Sequence, residues 1–312
     1  MIQTYKRKPE LHDHYHTILI GSGMGSLSAA AILAKEGRKV LVLEQHYTPG
    51  GFTHVFKRKG FEWDVGIHYI GDMQRPKSAM KKLFDYVTDG NLKWADMGEV
   101  YDCILIGDRA YDFVKGLNNF KQKLIGYFPE EEEAIKKYID LVFAANRSAG
   151  SYYMNKALPS FLGKLLYKQM TRSFFKYADQ TTHEVLSGLT KNEELIKVLC
   201  GQYGDYGLPP KQSSFFMHTT VVKHYFDGGS FPLGGSSRIV HTIDPVIEKA
   251  GGSIVINAEV AEVLIKNNKA HGVKMKDGRV LNASNIVSGA GILNTYEKLL
   301  PEDIVKKFQL KK

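Results

Sequence analysis

Between His16 and Glu44 a short apolar run, a glycine-rich turn, an alanine-rich stretch and a second apolar run follow one another, and few folds accept that order. His16 to Ile20 (HTILI) reads as a buried strand, β-branched and stopped by Gly21. Leu27 to Lys35 carries Ala29, Ala30, Ala31 and Ala34, all strong helix formers, and Gly37 stands where a helix C-cap is expected. Lys39 to Leu43 (KVLVL) reads as a second buried strand. Strand, turn, helix and strand in so short a span is the connection of a parallel sheet.

The turn itself is Gly21-Ser22-Gly23-Met24-Gly25-Ser26. Gly21 permits a tight turn, Gly23 lets backbone approach a pyrophosphate, and the helix that follows offers free N–H groups to phosphates. The third glycine of the usual pattern is replaced by Ser26, with Gly25 beside it. Glu44 ends the second strand, where its carboxylate can accept hydrogen bonds from a ribose and would repel an added phosphate. A glycine trio alone is a weak signal; with both strands, the helix and Glu44 in register it predicts a dinucleotide site. Pro49-Gly50-Gly51 then supplies side-chain-free backbone that a pyrophosphate or flavin could approach, although a structural turn is the plainer reading of that triplet alone.

The 312 residues allow two domains, and 43% hydrophobic with 24% charged residues is ordinary globular composition. The polar N-terminus lacks the apolar core of a secretory signal, which leaves the cytoplasm as the expected location. His12, His14 and His16 alternate ahead of the first strand and read as a tail tether, since they lack cysteine or carboxylate partners; Cys103 and Cys200 have no metal-ligand spacing, so no metal is expected. The net charge of +9 comes without a nucleic-acid motif, and nucleic acid is not expected as a partner.

From about Arg75 to Asp227 the texture changes to hairpin-like pieces (101–106 and 111–114) followed by helical stretches (130–146, 161–177, 192–202). From Phe231 the α/β texture returns, with a helix over 236–250, strands near 253–256 and 259–265, a hairpin around Lys276-Asp277-Gly278, and a last strand leading to Gly289 and Gly291. The expected organisation is therefore a discontinuous dinucleotide domain, residues 1–74 and 228–312, with an inserted α+β substrate domain, residues 75–227. Inside the insert no acidic residue falls between Asp140 and Asp179, and Lys164, Lys168, Arg172 and Lys176 recur every four residues. Leu162, Leu166, Met170 and Phe174 form a second series on the opposite helical face, with Phe161, Leu165 and Phe175 adding apolar area. A basic amphipathic helix of this kind suits a peripheral membrane contact, while a domain helix with one solvated face is the plainer reading.

Taken together, GSGMGSLSAAAILAKEGRKVLVLEQH, then PGG, then FEWDVGIHYIG resemble the N-terminal FAD segment of the phytoene desaturase and amine oxidase-like flavoproteins, and within them the retinol saturase branch. FPLGGS (231–236), Gly251-Gly252, NAEV (257–260) and NIVSGAGILNT (285–295) resemble that family's returning strands. The resemblance implies a Rossmann-like FAD-binding domain of amine oxidase/GDI type. Gly21, Gly23, Gly25, Ser26, Glu44, Gly50, Gly51 and Gly66 would hold the cofactor, Val260 would meet the adenine through its backbone, and Ser288, Gly289 and Ala290 would lie beside the dinucleotide. It also implies an oxidoreductase acting on C=C bonds of a lipophilic polyene, carotenoid- or retinoid-like, as saturase or desaturase by hydride transfer. His68 and Tyr69 are the candidates for handling the proton, although a core hydrogen bond is an equally good reading of His68; Asp64 fits fixing the local turn better than acting as a base. The reductant is not readable. Two alternatives stay open: a redox-neutral carotene cis–trans isomerase, and a non-catalytic isoprenoid binder like the Rab GDP-dissociation inhibitors or an inactive fragment. The family continues into a last glycine- and acid-bearing FAD segment absent from this sequence. The chain is thus expected to be an N-terminal portion, with FAD binding and turnover by it alone left open.

Overall fold

A computed structural model describes residues 2–7, 9–67 and 69–310. The chain forms two compact units, one of residues 1–69, 76–95 and 231–312 and one of residues 70–75 and 96–230. The sequence placed the crossings at 74/75 and 227/228; the chain crosses at 69/70, 75/76, 95/96 and 230/231. Residues 76–95 are held to the first unit by Asp89, whose carboxylate binds both Lys35 and Lys249 at 2.8 Å.

The first unit is built on one sheet of β1 (Gln3–Thr4), β2 (His14–Ile20), β3 (Val40–Leu43), β4 (Ser253–Ile256), β5 (Val260–Lys266), β6 (Lys269–Met275) and β7 (Val280–Ser288). Its order is β1-β4-β3-β2-β7-β6-β5. The run from β1 to β7 is parallel, and β6 and β5 return antiparallel. This is the α/β, Rossmann-like sheet expected. β2 lies at its centre with Ile18 and Leu19 wholly buried, each worth about 1.5–3 kcal/mol. A strand buried on both faces shows continuous apolar residues, which is why HTILI carried so strong a signal.

The tail ahead of it corrects one expectation. Gln3 and Thr4 pair with Val255 and Ile256 as an edge strand, and His14 and His16 belong to β2 itself. His14 hydrogen-bonds Ser284 at 2.9 Å and His16 hydrogen-bonds Thr17 at 2.8 Å, so these histidines serve the sheet and not a tether.

Helix α1 (Met24–Lys35) turns Ser26, Leu27, Ala30, Ala31 and Ala34 inward, small residues that let it lie close to the sheet. It ends in a Schellman motif: Gly37 N–H donates to the Ala34 carbonyl and Arg38 N–H to that of Leu33, both at 2.9 Å, with Gly37 at φ +71°. The serine at the third motif position has a partner that accommodates it. A Cβ built on Gly289, at the end of β7, would stand 2.1 Å from the Ser26 hydroxyl and 3.2 Å from the Ile20 carbonyl. The space usually kept by a glycine in the helix is here kept by a glycine in the facing strand end.

The second unit pairs a hairpin, Val100–Ile106 with Arg109–Val114, with helices that include α2 (Glu132–Ala157), α3 (Ser160–Ala178) and α4 (Phe215–His224). α2 runs eleven residues past the expected stop at Asn146. The residues beyond Asn146 pack: Ser148 and Ala149 are buried, and the Ser151 hydroxyl donates to the Met170 carbonyl of α3 at 2.7 Å. Asn155, also buried, donates to the Gly163 carbonyl at 2.9 Å and pins the α2–α3 hairpin near its tip. In the core of this unit His218 sits between the Tyr138 and Tyr206 hydroxyls, at 2.8 and 3.2 Å. Burial pulls its pKa down to about 3, so it is a neutral structural histidine at ordinary pH.

Gly289→Ala should lower unfolding free energy by about 1–3 kcal/mol through overpacking against α1. The same change made in a Ser26→Ala background should cost less, because the closest obstacle is gone. Urea denaturation of the four proteins of this cycle measures the coupling, and additive effects would show that the two positions do not compensate.

Candidate functional site

The carboxyl ends of β2 and β3 open into a cleft of about 740 Å³ formed entirely by the first unit, a size suited to a cofactor. Gly21 leaves β2 at φ +90°, a conformation that glycine alone takes easily, and its N–H donates to the Leu43 carbonyl at 2.8 Å. Gly23 then forms the N-cap of α1 with no side chain to satisfy the first turn, so the positive end of the helix faces the cleft with its donors free. A Cβ on Gly23 would meet no protein atom within 4 Å, and its φ of −65° is ordinary. Protein packing does not require a glycine there, and the helix end is left with open space in front of it.

Three residues hold this turn. Glu44 Oε2 accepts from the Ser22 N–H at 2.8 Å and the Ser22 hydroxyl at 2.7 Å, and Glu44 Oε1 accepts from the His46 N–H at 2.8 Å. The Ser22 oxygen in turn accepts from the buried Gly50 N–H at 2.9 Å. Gly50 at φ +115° and Gly51 at φ +58° fold the backbone against the turn, where a Cβ on Gly51 would reach 3.0 Å from the Gly23 Cα. The sequence assigned Glu44 to a ribose. Three donors leave its carboxylate some acceptor capacity for that, yet its first task is to clamp the turn.

The other expected residues fall into two groups. Val260, Gly289 and Ala290 line the cleft with Gly21, Gly23, Glu44, Gly50 and Gly51. Gly25, Ser26, Gly66 and Ser288 are not among its lining residues. Gly25 is in the first turn of α1, Ser26 packs on Gly289, and Gly66 lies so near Phe52 that a Cβ would be 2.7 Å from its Cβ. The Ser288 hydroxyl bonds that of Thr295 at 2.7 Å. Tyr69 is buried, and His68 lies outside the described residues. Asp64 reaches beyond its own turn, accepting from both the N–H and the hydroxyl of buried Ser236. Sequence reasoning missed Ser22, hidden inside the motif as a variable position, and Phe52, Ile67, Asn294 and Lys298, which also line the cleft. Ser22 has a recognisable signal, a hydroxyl two residues after a strand whose neighbour strand ends in Glu; the others are gathered only by folding. Among the described residues no cluster suited to a metal ion occurs.

The family model for flavin-containing amine oxidoreductases matches residues 27–307. All-trans-retinol 13,14-reductase of Danio rerio is 38% identical over 92% of this chain and 49% of its own length, and the Homo sapiens protein of that name is 42% identical over 91% and 48%. A chloroplastic prolycopene isomerase of an Oncidium hybrid cultivar is 28% identical over 95% and 52%. The chain thus spans about half the length of the curated relatives it matches. Among solved structures, an oxidoreductase from Methanosarcina mazei superposes with a TM-score of 0.64 at 20% identity, covering 91% of this chain and 60% of its own. A Rab GDI from Plasmodium falciparum gives 0.53 at 14%, covering 91% and 67%. At such identities these two show the fold alone.

Ser22→Ala removes the hydroxyl bond to Glu44, leaving the backbone N–H bond, and strands the Gly50 N–H. The expected cost is about 1–3 kcal/mol of stability, together with weaker dinucleotide binding, measured by thermal melts with and without ligand. A variant that melts and binds like the wild type would show that Ser22 does not hold the turn.

Proposed function

Because the chain belongs to the flavin-containing amine oxidoreductase family, and its cofactor is FAD, we propose that it serves an oxidoreductase acting on carbon–carbon double bonds of a lipophilic, retinoid- or carotenoid-like polyene. The observation that carries the cofactor half of this reading is the bare Gly23 surface at the positive end of α1. The substrate half is supported by the relatives, whose names specify a retinol double bond and a polyene.

Bound FAD would supply hydride chemistry at one carbon of the double bond, and saturation would also require a proton at the neighbouring carbon. On the protein side, the turn, Gly50-Gly51 and Glu44 hold the adenosine diphosphate moiety. We put forward Tyr69 and His68 as the groups that handle the proton; they follow Ile67, which lines the cleft. The prolycopene isomerase likeness favours a second reading, a redox-neutral isomerisation of the polyene on the same site.

A peripheral membrane contact is the other part of the proposal, and the structure changes its geometry. Leu162, Leu166 and Met170 are half-buried and Phe174 is buried, stacked on Tyr152 at 4.2 Å, so that series belongs to the core side of α3. The apolar residues left to solvent are Phe161 and Leu165, 70% and 73% exposed, with Tyr153 and Met154 on the last turns of α2, 60% and 62% exposed. Phe161, Lys164, Leu165, Lys168 and Arg172 follow one face of α3, and Lys176 continues it. Basic and bulky apolar side chains thus share a face, as an anionic lipid surface requires. No helix among the described residues is long and apolar enough to cross a membrane.

Purified chain should release FAD on denaturation, with absorption bands at roughly 370 and 450 nm. Protein that carries no flavin and is not stabilised by added FAD would overturn the cofactor reading for this chain. If it is loaded, a single turnover of anaerobically reduced protein with a polyene separates the two reactions: a product two hydrogens heavier means saturation, an isomer of unchanged mass means isomerisation, and neither outcome rules out both.

For the membrane contact, flotation with anionic vesicles should recover the wild type and lose Lys164/Lys168/Arg172/Lys176→Glu. Equal flotation of the two proteins would sink it.

A further inference from the structure

The cleft has an unusual charge balance for a site that receives a diphosphate. Two carboxylates line it, Glu44 and Glu259, and among its lining residues the single cation is Lys298. Glu259 is neutralised by Lys276 at 2.8 Å, and Glu44 is engaged by three hydrogen-bond donors. Among the described residues Lys298 pairs with neither carboxylate, and it is exposed.

The backbone that presents Lys298 is itself irregular. After Gly291 a short helical turn, Ile292–Asn294, passes into a single π-helical turn, Thr295–Leu299, closed by the Leu300 N–H donating to the Thr295 carbonyl at 3.0 Å. Isolated π turns cost regularity and concentrate at functional sites, because the extra residue per turn redirects side chains. Here the turn is tied to the end of β7: the Thr295 hydroxyl bonds the Ser288 hydroxyl and the Gly291 carbonyl, both at 2.7 Å. Leu299 is driven into the sheet's core cluster, while Lys298 and Asn294 face the cleft.

We infer that Lys298 is a phosphate-binding residue of this site, supplying from the π turn the side-chain cation that the glycine turn lacks. A lysine acts on phosphate as a mobile point charge and needs no fixed fork geometry, which suits an exposed side chain at a cleft rim. The Ser288–Thr295 bond then gains a purpose, since it fixes the turn that aims the ammonium. This inference rests on the dinucleotide reading of the cleft and adds a residue that motif reasoning does not reach.

The test uses adenosine, AMP, ADP and FAD as probes, titrated by calorimetry against wild type, Lys298→Gln, Lys298→Glu and, as a control for lost charge elsewhere, Lys307→Gln. ADP and FAD affinity should fall about tenfold in Lys298→Gln and further in Lys298→Glu, with adenosine unchanged and with a shallower salt dependence. Lys307→Gln should match the wild type. Affinities for ADP and FAD within twofold of wild type in both Lys298 variants, or an equal loss for adenosine, would overturn the role of Lys298 while leaving the cofactor reading intact. Wild type that binds none of the phosphorylated probes would overturn both. Thermal melts without ligand, expected to coincide for all four proteins, separate a binding loss from a folding defect.

Discussion

The hydrogen bonds that join Glu44, Ser22 and Gly50 are the constraint on which the site depends. Glycine-rich backbone is mobile unless something holds it, and in this turn Gly21 and Gly23 have no side chains with which to hold themselves. One carboxylate at the end of β3 accepts twice from Ser22, and the same serine oxygen accepts from Gly50, so three chain segments share one charged hydrogen-bond hub. Bonds to an ionised acceptor are worth about 1.5–3 kcal/mol each, enough to offset much of the entropy of ordering the loop. The cost of ordering this turn is therefore met by bonds within the protein.

That arrangement explains why so much of this unit was legible beforehand. β2, α1 and β3 are local in sequence, and their apolar runs, alanines and capping glycine act over a few residues each. The identity of Glu44 as a site residue was also legible, but its chief partner was not, because Ser22 occupies a position that the motif leaves unspecified. Ser26 looked like a weakness of the motif for a related reason. Its compensation, Gly289, lies at the end of β7, and only the parallel pairing of β2 with β7 brings the two together. Lys298 was invisible for the same cause: what brings it to the cleft is a π turn anchored through Thr295.

In the helical hairpin the reading of periodicity was sound and its assignment of faces was incomplete. Two four-residue series two positions apart do take opposite faces, and burial of Phe174 against Tyr152 and Phe216 shows which one the protein needs for itself. A series that completes a core cannot also enter a lipid surface. Phe161 and Leu165, counted with the apolar face, instead border the lysines, since positions three and four apart are neighbours on a helix. The extent of α2 was not legible locally: Ser148 and Ala149 are buried and Ser151 bonds the Met170 carbonyl of α3, contacts that only the folded helical hairpin supplies.

The location of the cleft lining has a consequence for how binding and chemistry relate. Every residue named in the cradle, from Gly21 to Lys298, belongs to the first unit, and the bonds that preorganise it close within that unit. The cleft is thus a property of one sheet and its loops. Under the function proposed above, discrimination among polyenes would depend on what surrounds the reacting carbon, which the Rossmann-like elements do not define. Affinity for FAD and choice of reaction are in this sense independent variables. Relatives named for reduction and for isomerisation both match this chain over more than nine-tenths of its length, so the sequence that builds the sheet and its loops does not by itself select between the two reactions.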